Sequence, residues 1–180
     1  MRIIAGEFKG RPIAAPKGQS TRPTGGRTRE AVFNLISHAA WAPALDDARV
    51  IDLFAGSGAL GLEAMSRGAA FCVFVETDSG ARGTIRDNCE TLGLFGTTRI
   101  QRRSATDLGP LPAGVGEPFT IAFRPITRDW SSQPSPSSQP AAGWQRMPSL
   151  SLKPLPTKYL HLMAGSGWTN APTARQRSAS

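Results

Sequence analysis

The stretch IDLFAGSGALGLEAMSRG, residues 51–68, restricts the fold more than any other part of the chain. Its glycines Gly56, Gly58 and Gly61 are spaced G-x-G-x-x-G, after an apolar run that contains an acid and before a run of helical character. A strand, a glycine turn and a helix amino terminus in that order bring backbone N–H groups and the positive end of a helix dipole to the mouth of a parallel sheet. A nucleotide-like cofactor sits at such a mouth. The flanking text extends the pattern. Arg49 to Phe54 (RVIDLF) reads as a buried strand, Ala59 to Arg67 as a helix stopped by Gly68, and Phe71 to Val75 (FCVFV) as a second strand. A helix from Ser79 to Leu92, weakened by Gly80 and Gly83, leads to a third strand at Arg99 to Arg102, and Phe119 to Phe123 (FTIAF) reads as a fourth. Strands alternating with helices are the mark of βαβ units and of an α/β fold with a parallel sheet.

Two acids bear on which cofactor the turn accepts. Glu76 ends the second strand, where a carboxylate can accept both hydroxyl hydrogens of a ribose, a use that suits dinucleotides and S-adenosylmethionine alike. Asp52 lies on the strand just before the turn. A negative charge there repels a pyrophosphate but attracts the amino group and sulfonium of S-adenosylmethionine, so Asp52 ranks a nicotinamide oxidoreductase well below a methyl-transfer protein. Two structural roles compete with these readings: Asp52 as a cap of the turn, and Glu76 as a solvated strand end.

Charge and composition narrow the partners. Lys and Arg number 21 against 13 Asp and Glu, a formal net charge of +8 that favours polyanions, RNA or DNA first. Arg used in place of Lys by a GC-rich gene is the competing explanation, and only the placement of the charges separates the two. From Met1 to about Gly26 the text is basic and turn-rich, with Arg2, Lys9, Arg11, Lys17 and Arg22 set among Pro12, Pro16 and Pro23. Short strands or a hairpin fit it, as a mobile arm that neutralises phosphates or as a solvated extension. Residues 27–41 form an amphipathic helix with Ala31, Val32, Leu35, Ile36 and Ala39 on the packed stripe and Arg27, Arg29, Glu30 and Asn34 away from it. His38 has no carboxylate or Cys near it in sequence and reads as an ordinary histidine. Cys72 and Cys89 match no metal or redox spacing and read as small core residues, so no metal is expected. The amino terminus lacks an apolar signal-like run and about 18 consecutive apolar residues occur nowhere, which points to a cytoplasmic protein without membrane contact.

Three segments taken together, MRIIAGEFKGRPIAAPKGQSTRPT, RTREAVFNLISH and IDLFAGSGALGLEAMSRGA, resemble the RsmD family of bacterial small-subunit ribosomal RNA methyltransferases, and the likeness runs from Met1 to Phe123. The resemblance implies a Rossmann-like S-adenosylmethionine-dependent methyltransferase fold and methyl transfer to the exocyclic amine of a guanine. The implied substrate is ribosomal RNA, free or in an assembling small subunit, met by a monomer. By the same resemblance Asp52, Phe54, Gly56, Ser57, Gly58 and Glu76 become cofactor residues, and Thr21 and Arg22 of the T-R-P-T segment flank the cofactor's amino-acid end. Arg2, Lys9, Arg11, Arg22, Arg27 and Arg29 become the RNA-facing set. Two positions depart from the family pattern: Gly26 stands where an acid usually follows T-R-P-T, and Ser104 stands where an acid usually follows the third strand, with Asp107 as a nearby substitute.

A larger departure follows FTIAF. In the resembled family the fourth strand runs into D-P-P-Y, whose acid and backbone carbonyl accept hydrogen bonds from the target amine while the Tyr stacks on the guanine. Those acceptors matter because an exocyclic amine, its lone pair delocalised into the ring, is a poor nucleophile that must be oriented. The chain reads FTIAFRPITRDW instead, so no catalytic residue of that motif is intact after Phe123. Codons for RPITRDW can be chosen that, shifted by one base, spell D-P-P-Y-H-A-G-L, and the same shift through the tail permits LAAGGWLA and DGWEWLDERTYG. A frame slip near Phe123, with a small deletion, accounts for this. The expected organisation is a basic arm at 1–26, a truncated Rossmann-like domain with an incomplete parallel sheet at 27–123, and an out-of-frame tail at 124–180. That tail, rich in Ser and Pro, is expected to be disordered, with no role for Trp130, Trp144, Tyr159 or Trp168. Ile121 and Phe123 are then expected to lack neighbours that cover them, at a cost in stability. The bland alternative to the enzyme is a catalytically defunct remnant that binds RNA or cofactor only.

Overall fold

The computed structural model describes residues 1–16, 25–38, 42–108, 115–116, 119–124 and 161–164. Thr21, Arg22, Lys17 and nearly all of the predicted tail, including Trp130, Trp144, Tyr159 and Trp168, lie outside these residues. Among the described residues three helices, α1 (Gly26–His38), α2 (Ala59–Ser66) and α3 (Ser79–Leu92), accompany five strands. These are β1 (Arg49–Asp52), β2 (Phe71–Val75), β3 (Thr98–Gln101), β4 (Ile121–Arg124) and β5 (His161–Ala164). β2 and α3 coincide with the ranges predicted from sequence, while β1 stops two residues early because the chain turns into the glycine loop after Asp52.

The strands form one sheet in the order β3-β2-β1-β4-β5. β1 pairs parallel with β2 and with β4, Asp52 lying beside Phe74 on one side and Phe123 on the other. Residues 161–164, within the span expected to be the tail, supply the fifth strand. β5 pairs antiparallel with β4, Phe123 opposite Leu162, so a segment of the tail satisfies the N–H and C=O groups that β4 would otherwise present at an open edge.

All three helices pack on one face of the sheet, where Val50, Cys72, Phe74, Ile121 and Phe123 meet Phe33 of α1, Leu62 of α2 and Ile85 of α3. Among the described residues, the opposite face carries Ile51, Val73, Val75 and Ala122, covered by Val115 and Phe119. Ile121 and Phe123 are fully buried, contrary to expectation, because the Phe33 ring packs edge-on against Phe123 at a centroid distance of 5.6 Å and β5 flanks their strand. Helix α1 thereby differs from the sequence reading: its buried positions are Arg29, Phe33 and Ile36, and Ala31 is exposed. Phe33 outweighs the small Ala31 because burying a whole aromatic ring stabilises by several times more than burying a methyl group.

Of the amino-terminal segment, residues 1–13 are docked on the domain. Residues 1–13 form a short hairpin, with Arg2 bridged to Pro12, Ile3 N–H donating to the Arg11 carbonyl at 3.1 Å and Gly10 N–H to the Ile3 carbonyl at 2.9 Å. Ile3 and Ile13 anchor it in the core. A fully buried carboxylate, Glu63 on α2, accepts from the N–H groups of Ile4 at 2.8 Å and Ala5 at 3.0 Å and is paired with Arg67 at 2.9 Å and Arg29 at 3.8 Å. Arg29, only 3% exposed, also donates to the Arg2 carbonyl. Its assignment to the RNA-facing set is therefore corrected, since a guanidinium committed to a buried acid and a carbonyl cannot meet a phosphate.

Helix α2 lies close on the sheet because Gly61 has no side chain. A Cβ there would stand 2.4 Å from the Phe74 ring and 2.7 Å from the Cys72 sulfur, both fixed in the core. Gly61→Ala is expected to cost about 1–3 kcal/mol in denaturant unfolding. The matching change Gly83→Ala in α3, where nothing stands within 4 Å, should leave stability unchanged or raise it by up to about 1 kcal/mol.

Candidate functional site

Connections from β1 run toward β2 on one side of the sheet and the chain returns to β4 on the other, so the strand order reverses at β1. A crevice outside the carboxyl ends of the strands at such a reversal is where open α/β sheets hold ligands. The predicted cofactor residues converge there. After β1 the chain passes Leu53 and Phe54 and bends through Gly56 and Gly58, at φ of 54° and 76°, in the left-handed region that glycine tolerates. Gly58 is the amino-terminal cap of α2, and its own N–H closes the bend on the Ala55 carbonyl at 2.6 Å. A Cβ on Gly56 would meet nothing within 4 Å, leaving room above the bend for a bound molecule. Phe54 is 48% exposed beside this opening, while Ser57 is buried within the loop.

Both acids take part in building the bend. Asp52 accepts from the Gly61 N–H at 3.2 Å, so the capping role weighed from sequence is present. Glu76 accepts from the Gly56 N–H at 2.9 Å through one oxygen and from the Asp78 N–H at 2.9 Å through the other. It is half-buried, not the solvated strand end that was the alternative. Arg82 on the first turn of α3 donates to the carbonyls of Glu76 and Thr77 at 3.2 and 2.6 Å and so shapes the loop that follows β2.

Asp52 is buried and its carboxyl is pushed up to about 7, by loss of hydration above all. The Gly61 N–H opposes that shift, the Glu76 charge adds to it, and the Phe54 backbone bond opposes it again. A carboxylate in this condition gains from a nearby cation, which would restore its ionised form. An open glycine bend, a half-buried carboxylate at the end of β2 and a buried acid that gains from positive charge suit S-adenosylmethionine better than a pyrophosphate.

Other predicted positions divide. Arg2, Lys9, Arg11 and Arg27 are exposed. Arg2 donates to the Gly10 carbonyl at 3.2 Å and Arg11 to the Thr91 carbonyl at 3.0 Å, contacts that leave their charges at the surface. Ser104 sits in an exposed turn after β3, its carbonyl accepting from the Asp107 N–H at 3.1 Å, which brings Asp107 to the same strand end. Cys72 and Cys89 are buried core thiols, and burial pushes both up from the usual thiol range. Among the described residues no cluster of His, Cys, Asp and Glu suits a metal ion, and no helix is long and apolar enough to cross a membrane.

At the end of β4 stands Arg124, one residue past the pairing of Phe123 with Asp52. The resemblance led to the expectation of an acid of D-P-P-Y after Phe123, and burial lowers the pKa of the arginine that stands there. Sequence reasoning missed two further residues. Glu63 is the lone charged residue in the largely apolar helix ALGLEAMS, and Asn88 interrupts the stripe Ala81, Ile85, Cys89 and Leu92 of α3. A polar residue on a buried stripe was the available signal in both cases.

The family model described as "Conserved hypothetical protein 95" matches residues 1–124. The chain belongs to this family. It is the RsmD family that the sequence resembles. YlbH of Bacillus subtilis is 45% identical over 105 residues, covering 58% of this chain and 54% of the relative. The "Ribosomal RNA small subunit methyltransferase D" of Escherichia coli is 39% identical over 123 residues, 68% of this chain and 58% of the relative. The chain thus matches a little over half the length of these curated relatives. The solved structure of yhhF from Escherichia coli superposes with a TM-score of 0.53 at 33% identity, covering 68% of this chain and 61% of that one. HI0767 from Haemophilus influenzae gives a TM-score of 0.52 at 28% identity, covering 73% and 68%. The Rossmann-like fold of this methyltransferase lineage is the fold described above.

The raised Asp52 pKa fixes the sign of a pH effect. Between about pH 4, where the unfolded carboxyl ionises, and about 7, the folded state holds the extra proton, so stability falls as pH rises through that window. Asp52→Asn is expected to flatten this slope in melts of the ligand-free protein and to raise its melting temperature above about pH 7. An unchanged slope in the variant would show that another group sets it.

Proposed function

We propose that the crevice binds S-adenosylmethionine and that the chain descends from enzymes that methylate the exocyclic amine of a guanine in small-subunit ribosomal RNA. Asp52 carries the reading: a buried acid beside an open glycine bend is suited to a cationic ligand and ill suited to a phosphate. The cofactor, when bound, supplies an electrophilic methyl group on a cationic sulfur. Glu76 would accept the ribose hydroxyl hydrogens, the Gly56 and Gly58 bend would let backbone approach closely, and Asp52 would balance the positive charge. Phe54, Ser57, Thr21 and Arg22 complete the proposed cofactor set. Arg2, Lys9, Arg11 and Arg27 form the proposed RNA surface, joined by Arg22, and the protein would act as a cytoplasmic monomer on free RNA or an assembling small subunit.

A second reading, a remnant that binds cofactor or RNA without turnover, draws on Arg124. A cation at the end of β4 cannot accept a hydrogen from a target amine as the family's acid does, and no D-P-P-Y follows it. The likeness to the family also stops at residue 124, where the proposed frame slip would lie. In that proposal residues 124–180 are out of frame, and the pairing of β5 with β4 is the use to which a piece of that text is put.

Calorimetry on the full chain is expected to detect S-adenosylmethionine, with Glu76→Ala weakening it by about 10- to 100-fold, the worth of one charged hydrogen-bonding group. No binding at millimolar cofactor would remove the cofactor reading. Transfer of a radiolabelled methyl group to ribosomal RNA by the chain as written would exclude the remnant. Lys9→Ala should weaken RNA of any sequence alike and reduce the slope of log affinity against log salt by about 0.7 to 0.9. Resequencing the DNA around the codon for Phe123 tests the slip, an unbroken frame in independent isolates counting against it.

A further inference from the structure

We infer that Asn88 is a positioning residue that ties the amino-terminal hairpin to the glycine loop, so that ligand in the crevice and order in the hairpin reinforce one another. The inference rests on the reading of the crevice as an S-adenosylmethionine site. Asn88 lies on α3 at 3% exposure, among apolar neighbours, and its amide is spent entirely on backbone from two other segments. Its oxygen accepts from the Ala14 N–H at 2.8 Å. Its nitrogen donates to the Ala14 carbonyl at 3.1 Å and to the Ser57 carbonyl at 3.1 Å. Ala14 directly follows Ile13, the last core anchor of the hairpin, and Ser57 sits between the two left-handed glycines of the bend.

One planar amide therefore fixes three backbone groups at once. Its plane is set by the two-point clasp on Ala14, and that setting aims the remaining N–H at the Ser57 carbonyl. Movement of the loop away from its bound shape must break or bend this hydrogen bond, and loosening of Ala14 turns the amide and withdraws it. A ligand that holds the loop still removes one of the motions open to the hairpin, and a partner that holds the hairpin does the same for the loop, with equal coupling in the two directions. The exposed Arg2, Lys9 and Arg11 lie on that hairpin, so a polyanion held there and a cofactor held in the crevice are linked through Asn88.

Backbone hydrogen exchange on the full chain, with and without saturating S-adenosylmethionine, tests the link. In the wild-type chain the cofactor is expected to slow exchange at Gly56 and Gly58 in the loop and, by about fivefold or more, at Ile3, Gly10 and Ile13 in the hairpin. In Asn88→Asp the second carboxylate oxygen faces two carbonyls and repels them. The loop amides should still slow with cofactor while the hairpin amides no longer respond. Should the charge prevent folding, Asn88→Ala carries the same expectation. A residue that merely props the hairpin would speed its exchange equally with and without cofactor and leave the ratio intact, and that result would overturn the inference. So would a wild-type hairpin indifferent to cofactor while the loop responds. Absence of any slowing at Gly56 and Gly58 would overturn the crevice reading and this inference with it.

Discussion

A buried carboxylate ties both the amino-terminal hairpin and α1 to α2. Glu63 sits inside α2 with no exposure, and its two oxygens take hydrogen bonds from Ile4, Ala5 and Arg67 and an ion pair from Arg29. An unpaired charge in that position would be among the most costly features a core can contain, so the acid is tolerable only when the hairpin and α1 are docked upon it. The dependence also runs outward: the docked hairpin buries Ile3 and Ile13, and α1 brings Phe33 onto Phe123 and beneath the guanidinium of Arg67, 4.8 Å from the ring centre. The hairpin is thus a wall of the domain that also presents charge, held against α2.

The crevice follows from the same economy of backbone. Glycine at 58 and 61 lets α2 settle against Phe74, and the left-handed bend at 56 and 58 leaves the space above Gly56 open. Asp52 and Glu76 hold that bend through the N–H groups of Gly61, Gly56 and Asp78, so each proposed cofactor carboxylate is also a structural member of its own loop. The two roles agree physically. A carboxylate held rigidly by backbone donors is already oriented, and a ligand that reaches it meets less of an ordering cost. Asp52 keeps a raised pKa for the same reason that suits it to a cation: burial deprives its charge of water and backbone dipoles only partly replace it.

At the far side of β1 the structure departs from the family pattern and still closes. The sheet accepts a fifth strand from text that reads as loop, because β4 offers a row of unpaired backbone groups and strand pairing asks little of side-chain identity at an edge. Arg124 replaces the acid expected at the tip of β4. The part of the molecule suited to holding a cofactor is therefore separable from the part that would handle a target amine: the first is assembled from residues 52–76, the second would begin where the likeness to relatives ends.

Much of this was legible in the residues alone. The period of apolar runs and the glycine spacing determined β1, α2, β2 and α3 nearly to the residue, and charge at Asp52 separated one cofactor class from another, because these depend on neighbours in sequence. The roles of Arg29, Glu63 and Asn88 were not legible in the same way. Arg29 looked like a surface cation on a helix, and only the approach of α2 from more than thirty positions away turned it inward onto Glu63. Asn88 looked like one polar residue in an amphipathic helix until Ala14 and Ser57 came to either side of it. Local pattern determined which segments become strand, bend and helix, whereas the partners of buried polar groups were decided by tertiary structure, since a hydrogen bond or ion pair exists only when folding brings both of its ends together and removes the water between them.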